Sequence, residues 1–273
     1  MRTPIVQAVT LDLWGTLFID SPAADERYRR ERVLRIAEAL IDHGIEVPIA
    51  ALTKGYEESR RQLVRVWREL RDVPVERHLT LLLQAVDAAL PGRLDAACMA
   101  EVVWAYASPA LDVPPPFDPG AAAALETLAE RGIAVCLVSN TLRTPGTILR
   151  RILGNAGLRD AFAGMVFSDE CGFRKPNPAI FHCALAQLGV AAQHAVHVGD
   201  DAKLDVEGAH RAGMPAIQVG DGRWGEGDLT SSSVPDAVIQ SLSGLAAAVD
   251  GLERTPDSSR AEPSILTQAA GHR

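Results

Sequence analysis

An aspartate closes a short apolar run near the start of the chain, in Val9-Thr10-Leu11-Asp12, and Leu13-Trp14-Gly15-Thr16-Leu17 comes directly after it. A run of this kind reads as a buried strand, and an acid at its carboxyl end lies where a nucleophile or a metal ligand would sit. Three more groups are placed in the same way. Ser139-Asn140 comes after the apolar run Ile133–Val138, and Lys175 lies in Phe173-Arg174-Lys175-Pro176-Asn177-Pro178. Gly199-Asp200-Asp201 comes after Ala195–Val198, with Asp205 four residues past Asp201. A carboxylate nucleophile, a hydroxyl, a lysine and further acids in one crevice suit phosphoryl chemistry, because magnesium takes hard oxygen ligands and bridges carboxylates to phosphate. Plainer roles compete: Ser139-Asn140 also suits a strand-to-helix turn, Lys175 a solvated loop, and Asp201 a helix cap, which is the preferred reading for Asp201. His182, His194, His197 and His210 lack metal-like pairing and are expected to be structural.

These groups need strands that end together. Apolar runs at Ile5–Leu11, Ile133–Val138, Met165–Phe167, Ala195–Val198 and Ala216–Val219 alternate with helical spacing, starting from a helix at Ala121–Arg131. That alternation predicts an α/β, Rossmann-like parallel sheet with right-handed crossovers. Between the first strand and the second, four stretches (Glu26–His43, Ile49–Arg71, Val75–Leu90 and Leu94–Ala107) show helical periodicity only, with Pro48, Pro74 and Pro91 between them. The segment 19–112 therefore reads as an all-helical insertion. Val113-Pro114-Pro115-Pro116-Phe117-Asp118-Pro119-Gly120 is a stiff return linker. The expected division is a core from 1–18 and 113–252, the insertion 19–112, and a disordered tail 253–273. The last helix is expected over Pro235–Leu252.

Formal net charge is −8 with no blocks of one sign, which argues against nucleic acid or an anionic membrane as partner. The four cysteines have no CxxC spacing and suit reduced thiols. The first residues carry no apolar segment long enough for export or membrane insertion, so a cytoplasmic chain is the expectation. Nothing in the sequence speaks to oligomeric state.

Taken together, Asp12-Leu13-Trp14-Gly15-Thr16, Ser139, Lys175 and Gly199-Asp200 with Asp205 resemble the four motifs of the haloacid dehalogenase superfamily, in the class with a helical cap after the first strand. The match runs from about Ile5 to Leu252. The resemblance implies a hydrolase, foremost a Mg²⁺-dependent phosphatase acting on a small phosphorylated metabolite. Asp12 would form an aspartyl-phosphate, and Ser139, Asn140 and Lys175 would bind the phosphoryl group. Asp12, the Trp14 backbone carbonyl and Asp200 would hold Mg²⁺, supported by Thr16, Asp201 and Asp205.

One position departs from the family pattern. The family's second acid, which relays the proton to the leaving group and from water, is replaced by Trp14. Such a relay contributes roughly 10²–10⁴ in rate, and an indole N–H only donates. Asp20, Asp25 and Glu26, at the start of the insertion, could return an acid to the site. Trp14 opens two alternatives: a 2-haloacid dehalogenase-like hydrolase working through an aspartyl ester, or a binding or regulatory domain with impaired turnover. The insertion is rich in arginine (Arg27, Arg29, Arg30, Arg32, Arg60, Arg61, Arg65 and Arg68), mostly expected on a solvated face with one or two facing an anionic substrate. Trp67 and Trp104 are expected in the core of the cap, which would hinge near Phe18–Pro22 and Asp112–Gly120.

Overall fold

The computed structural model describes residues 6–19, 21–220 and 233–254. The first strand, β1 (Ala8–Leu11), is buried along its whole length. Six helices come next: α1 (Pro22–Asp42), α2 (Ile49–Arg68), α3 (Val75–Val86), α4 (Leu90–Arg93), α5 (Ala96–Ala107) and α6 (Pro109–Asp112). Local chemistry explains the starts. Ser21 caps α1 by accepting from the Ala24 amide at 3.2 Å, with Pro22 opening its first turn, and Asp95 caps α5 through the Cys98 amide at 2.8 Å. Helix α2 packs on α3 and α1 on α5, burying Ile36, Leu40, Leu52, Leu63, Leu79, Leu82 and Val102.

The rest of the chain alternates. It runs α7 (Ala121–Glu130), β2 (Ala134–Ser139), α8 (Gly146–Asn155), β3 (Gly164–Phe167), α9 (Ser168–Cys171) and α10 (Pro178–Leu188). Strand β4 (Ala195–Gly199) leads into a π-helical turn (Ala202–Glu207), then α11 (Gly208–Arg211), β5 (Ala216–Val219), β6 (Ala237–Ile239) and α12 (Leu245–Arg254). The six strands form one parallel sheet in the order β3-β2-β1-β4-β5-β6. The chain moves outward from β1 to β3, then restarts on the other side of β1 at β4. The loops after β1 and β4 therefore diverge, and an open α/β sheet binds ligands in the crevice at such a switch point.

The helix expected over Pro235–Leu252 is corrected by the structure: its first part is the edge strand β6, and the helix begins at Leu245. Val234, Val238, Leu242, Leu245 and Val249 repeat at helical spacing, which hid three residues of strand whose Val238 faces outward, 57% exposed. Helix α12 continues to Arg254, two residues into the expected tail, and the rest of that tail, 255–273, lies outside the described residues. All four cysteines are free thiols. Among the described residues no helix is long and apolar enough to cross a membrane.

The helical segment joins the sheet through paired strands of backbone. Phe18 and Phe117 form an antiparallel bridge, Ile19 donates to Pro116 at 2.8 Å, and Asp118 donates to Leu17 at 2.9 Å. A second joint has no signal in the sequence. Between α2 and α3, Arg71 bridges antiparallel to Phe173, with Asp72 donating to Gly172 (3.2 Å) and Arg174 to Leu70 (3.1 Å). It grips the segment just before Lys175.

Candidate active site

Strand β1 is central, so the loop at its carboxyl end is flanked by the loops that leave β2 and β4. Asp12, whose amide donates to Val198 at 2.9 Å, lies between Asn140 after β2 and Asp200 after β4. These residues, with Trp14, Gly15, Lys175, Asp201, Leu204 and Asp205, line a cleft of about 220 Å³. Ser21, Pro22 and Asp25 from the start of α1 and Leu142 also line it.

Lys175 is the centre of the charge arrangement. Its Nζ donates to Asp12 Oδ1 and, at 2.6 Å, to Asp205 Oδ1, with all three side chains almost wholly buried. Asn140 holds the lysine backbone from both sides: Oδ1 accepts from the Lys175 amide at 2.9 Å, and Nδ2 donates to its carbonyl at 3.3 Å. Asp205 is held further by the Asp201 amide at 3.0 Å and by His197 Nε2 at 3.0 Å. Burial keeps His197 below its ordinary pKa, so the ring is a neutral donor to Asp205. Its Nδ1, 2.8 Å from Thr10 Oγ1, then accepts that hydroxyl. His197 thus has a positioning role, in line with the structural reading.

The electrostatics arise from burial and crowding. Burial pushes the Asp12 carboxyl up to about 7; Lys175 opposes this and Asp205 adds to it. Burial, then Asp205 and Asp12, push Asp200 up to about 8. Asp205 is buried too, yet Lys175 and His197 hold it well below the carboxylate range. Lys175 stays above its ordinary value, because Asp12 and Asp205 outweigh its burial. One lysine therefore faces three close carboxylates. Oxygens of Asp12, Asp200 and Asp205 lie within 4.8 Å of one another, a hard-oxygen cluster suited to a divalent cation. Asp205 already serves Lys175, His197 and the Asp201 amide, which leaves Asp12 and Asp200 as the freer ligands.

Two glycines make this crowding possible. Gly15 has φ +79°, and a Cβ there would meet the Asp200 carboxylate. At Gly199 a Cβ would meet the carboxylate of Asp205. The sequence marks both glycines only as motif members; close packing against the acids is what requires them.

The other expected residues are distributed around this centre. The Thr16 hydroxyl reaches Asp200 Oδ1 at 3.4 Å. Asp201 caps the π-helical turn, accepting from Lys203 at 2.7 Å and Leu204 at 2.8 Å, as preferred from sequence. Ser139 is fully buried, its hydroxyl donates to the Asn140 carbonyl at 3.3 Å, and it is not part of the cleft wall. Of the three acids expected to return over the site, Asp25 lines the cleft, Glu26 pairs with Arg29 at the surface, and Asp20 lies outside the described residues. None of the cap arginines lines the cleft. Arg32 is buried but spans to the core instead, donating to the Tyr106 carbonyl at 3.0 Å and Thr144 at 2.9 Å. Trp104 is a correction: it is 45% exposed and lies under the Arg151 guanidinium.

A buried polar knot beside the cleft has no counterpart in the sequence reading. Asp72 accepts from Ser168 Oγ (2.6 Å), Arg174 Nη1 (3.0 Å) and Trp67 Nε1 (3.0 Å), and His78 Nε2 stands 3.6 Å away. Burial raises the Asp72 carboxyl, but His78, Arg174 and Ser168 override it and hold it at about 2. No local sequence pattern links residue 72 to residues 168 and 174.

Residues 6–213 match the haloacid dehalogenase-like hydrolase family. A glyceraldehyde 3-phosphate phosphatase of Methanopyrus kandleri is 31% identical over 239 residues, which cover 86% of this chain and 93% of that protein. The chain belongs to the haloacid dehalogenase-like hydrolases. A phosphoserine phosphatase of Thermus thermophilus is 38% identical over a shorter stretch, 38% of this chain and 41% of that one. Among solved structures, a 2-haloacid dehalogenase from Pseudomonas syringae pv. Tomato superposes with a TM-score of 0.63 at 24% identity, covering 90% of this chain and 99% of that one. A phosphatase of the same superfamily from Thermococcus onnurineus does so with a TM-score of 0.55 at 23% identity, with the same coverage. At these identities the structural likeness is one of fold.

Proposed function

We propose that this hydrolase is a Mg²⁺-dependent phosphatase that acts on a small phosphorylated metabolite through an aspartyl-phosphate at Asp12. The observation that carries this reading is the cluster of Asp12, Asp200 and Asp205 around a single lysine in the switch-point cleft. Phosphoryl transfer needs charge neutralisation and positioning above all, and Lys175 beside a divalent-ion site supplies both. The phosphatase from Methanopyrus kandleri, similar along 86% of this chain, supports the same reading.

In this reading Asp12 attacks phosphorus, and Lys175 neutralises charge on the transferred group and favours the ionised form of Asp12 against its burial. Asn140, in the cleft wall, fixes the lysine, and Ser139 supports it from behind through the Asn140 carbonyl. Asp12, the Trp14 carbonyl and Asp200 would hold Mg²⁺, which supplies charge neutralisation at the phosphoryl group. Asp205 orients the lysine, and Thr16 and Asp201 steady Asp200 and the turn behind it. The cleft volume of about 220 Å³ falls below the roughly 300–1,000 Å³ of drug-sized sites, which suits a substrate of a few carbons.

The dehalogenase alternative predicts halide release that survives chelation and does not need Asp200. The crowding of three carboxylates weighs against it, since an ester mechanism has no use for a divalent-ion site. The test is a phosphate-release panel with and without Mg²⁺, run beside Asp12→Asn. Release that requires both Mg²⁺ and Asp12 is the expected result. Release by Asp12→Asn equal to that of the unmodified chain would overturn the assignment.

A further inference from the structure

Trp14 leaves the proposed reaction without a proton relay at the usual position. Trp14 lines the cleft, its indole edge-on to Phe18 with ring centroids 5.3 Å apart, and its Nε1 is buried without a hydrogen-bond partner among the described residues. The reaction still has two proton needs. An alkoxide leaving group must be protonated, and the water that attacks the aspartyl-phosphate must lose a proton.

Among the described residues, five acidic residues line the cleft: Asp12, Asp25, Asp200, Asp201 and Asp205. Four of them have other duties. Asp12 accepts from Lys175; Asp205 accepts from Lys175, His197 and the Asp201 amide. Asp201 caps the π-helical turn through two amides, and Asp200 accepts from Thr16 within the acidic cluster. Asp25 differs on each count. Among the described residues it is the one acidic residue of the cleft borne by the helical segment, it sits in the first turn of α1, and no hydrogen bond or ion pair engages its carboxylate. It shares the cleft wall with Trp14 and approaches from the helical segment rather than from the core loops.

We infer that Asp25 is the proton donor and acceptor of this enzyme, replacing from the cap helix the acid that Trp14 displaces from the core loop. The inference rests on the phosphatase reading. In the first step an Asp12 oxygen bonds to phosphorus, the bond from phosphorus to the ester oxygen breaks, and the Asp25 carboxylic acid passes its proton to the departing alkoxide. In the second step the Asp25 carboxylate takes a proton from water, whose oxygen bonds to phosphorus as the bond to Asp12 breaks. Inorganic phosphate leaves, Asp12 is again a carboxylate, and Asp25 is again protonated. Because α1 belongs to the helical segment, the relay is assembled only while that segment covers the cleft.

The experiment compares two esters in Mg²⁺ with the full chain, Asp25→Asn and Asp25→Glu. Glycerol 3-phosphate releases an alkoxide that needs a proton; p-nitrophenyl phosphate releases a phenolate that does not. Asp25→Asn is expected to lose about 10²-fold or more of glycerol 3-phosphate turnover. With p-nitrophenyl phosphate it should give a burst of one nitrophenolate per site and then slow turnover, with phosphoenzyme accumulating. Asp25→Glu should recover part of both. Equal loss of burst and steady state would overturn the inference, as would undiminished glycerol 3-phosphate turnover by Asp25→Asn. If the unmodified chain releases phosphate from neither ester, the phosphatase reading falls and the inference with it. If it does release phosphate and Asp25→Asn is unaffected, only the inference falls.

Discussion

Arg174 and Lys175 are neighbours in sequence and engage carboxylates from opposite parts of the molecule. The guanidinium of Arg174 binds Asp72, between the helices α2 and α3, at 3.0 Å, while the ammonium of Lys175 binds Asp12 at the end of β1. The same backbone segment is bridged to Arg71 through Phe173. Any shift of the Asp72 segment therefore acts on the lysine that pairs with Asp12.

This predicts that Asp72→Ala is strongly destabilising, because it takes a carboxylate from a buried arginine and an acceptor from Ser168 and Trp67. Breaking a buried pair from one side costs about 3–5 kcal/mol, which urea titration would measure. A cost under about 1 kcal/mol, the range of an exposed pair, would show that the knot is not structural.

The pH dependence of that knot has a defined sign. Asp72 is held at about 2 when folded, against an ordinary value of 3.8, so the unfolded chain takes up its proton first as pH falls. Its stabilisation is fully present above pH 3.8 and is lost as pH falls through about 2. The stability difference between the unmodified chain and Asp72→Asn should be constant at neutral pH and shrink below pH 3.8. A difference that grows on acidification would contradict the assignment.

Gly15→Ala should weaken the metal site without replacing a ligand residue. The new Cβ would stand 2.6 Å from Asp200 Cγ, and a left-handed backbone adds about 1–2 kcal/mol of strain for a residue with a side chain. Calorimetry should find Mg²⁺ binding weakened about tenfold, because roughly 1.4 kcal/mol is one decade in affinity. Asp200→Asn should lose more than the roughly 10–100-fold typical of a change behind the ligands.

Trp14→Asp restores an acid at the usual relay position and should rescue Asp25→Asn. In the double variant, glycerol 3-phosphate turnover should rise at least about tenfold over Asp25→Asn alone, within the roughly 10²–10⁴ that a relay contributes. No rescue, with the fold intact by circular dichroism, would place the missing proton transfer elsewhere.

Much of this architecture is legible in the sequence because its signals are local. Each core strand is a short apolar run, and Asp12, Asn140 and Asp200 come directly after such runs, so parallel-sheet geometry alone implies their convergence. The helical insertion is legible from proline breaks and periodicity. The features that escape a sequence reading depend on distance along the chain. Asp72 meets Ser168 and Arg174 across 96 and 102 residues, and neither end signals the other. Arg32 reads as one more surface arginine, yet its contact with Thr144, 112 residues away, buries it. Strand β6 is three residues long and shares its apolar spacing with the helix after it. Asp25 is one of three candidate acids by sequence, and only the cleft distinguishes it from Glu26.

The central claim is that Asp12 carries the phosphoryl group, and mass spectrometry of acid-quenched protein tests it most directly. After mixing with Mg²⁺ and p-nitrophenyl phosphate, the peptide bearing Asp12 should gain the mass of one phosphoryl group, most strongly in Asp25→Asn and never in Asp12→Asn. Phosphate release with no such adduct in Asp25→Asn, or an adduct on another residue, would contradict it.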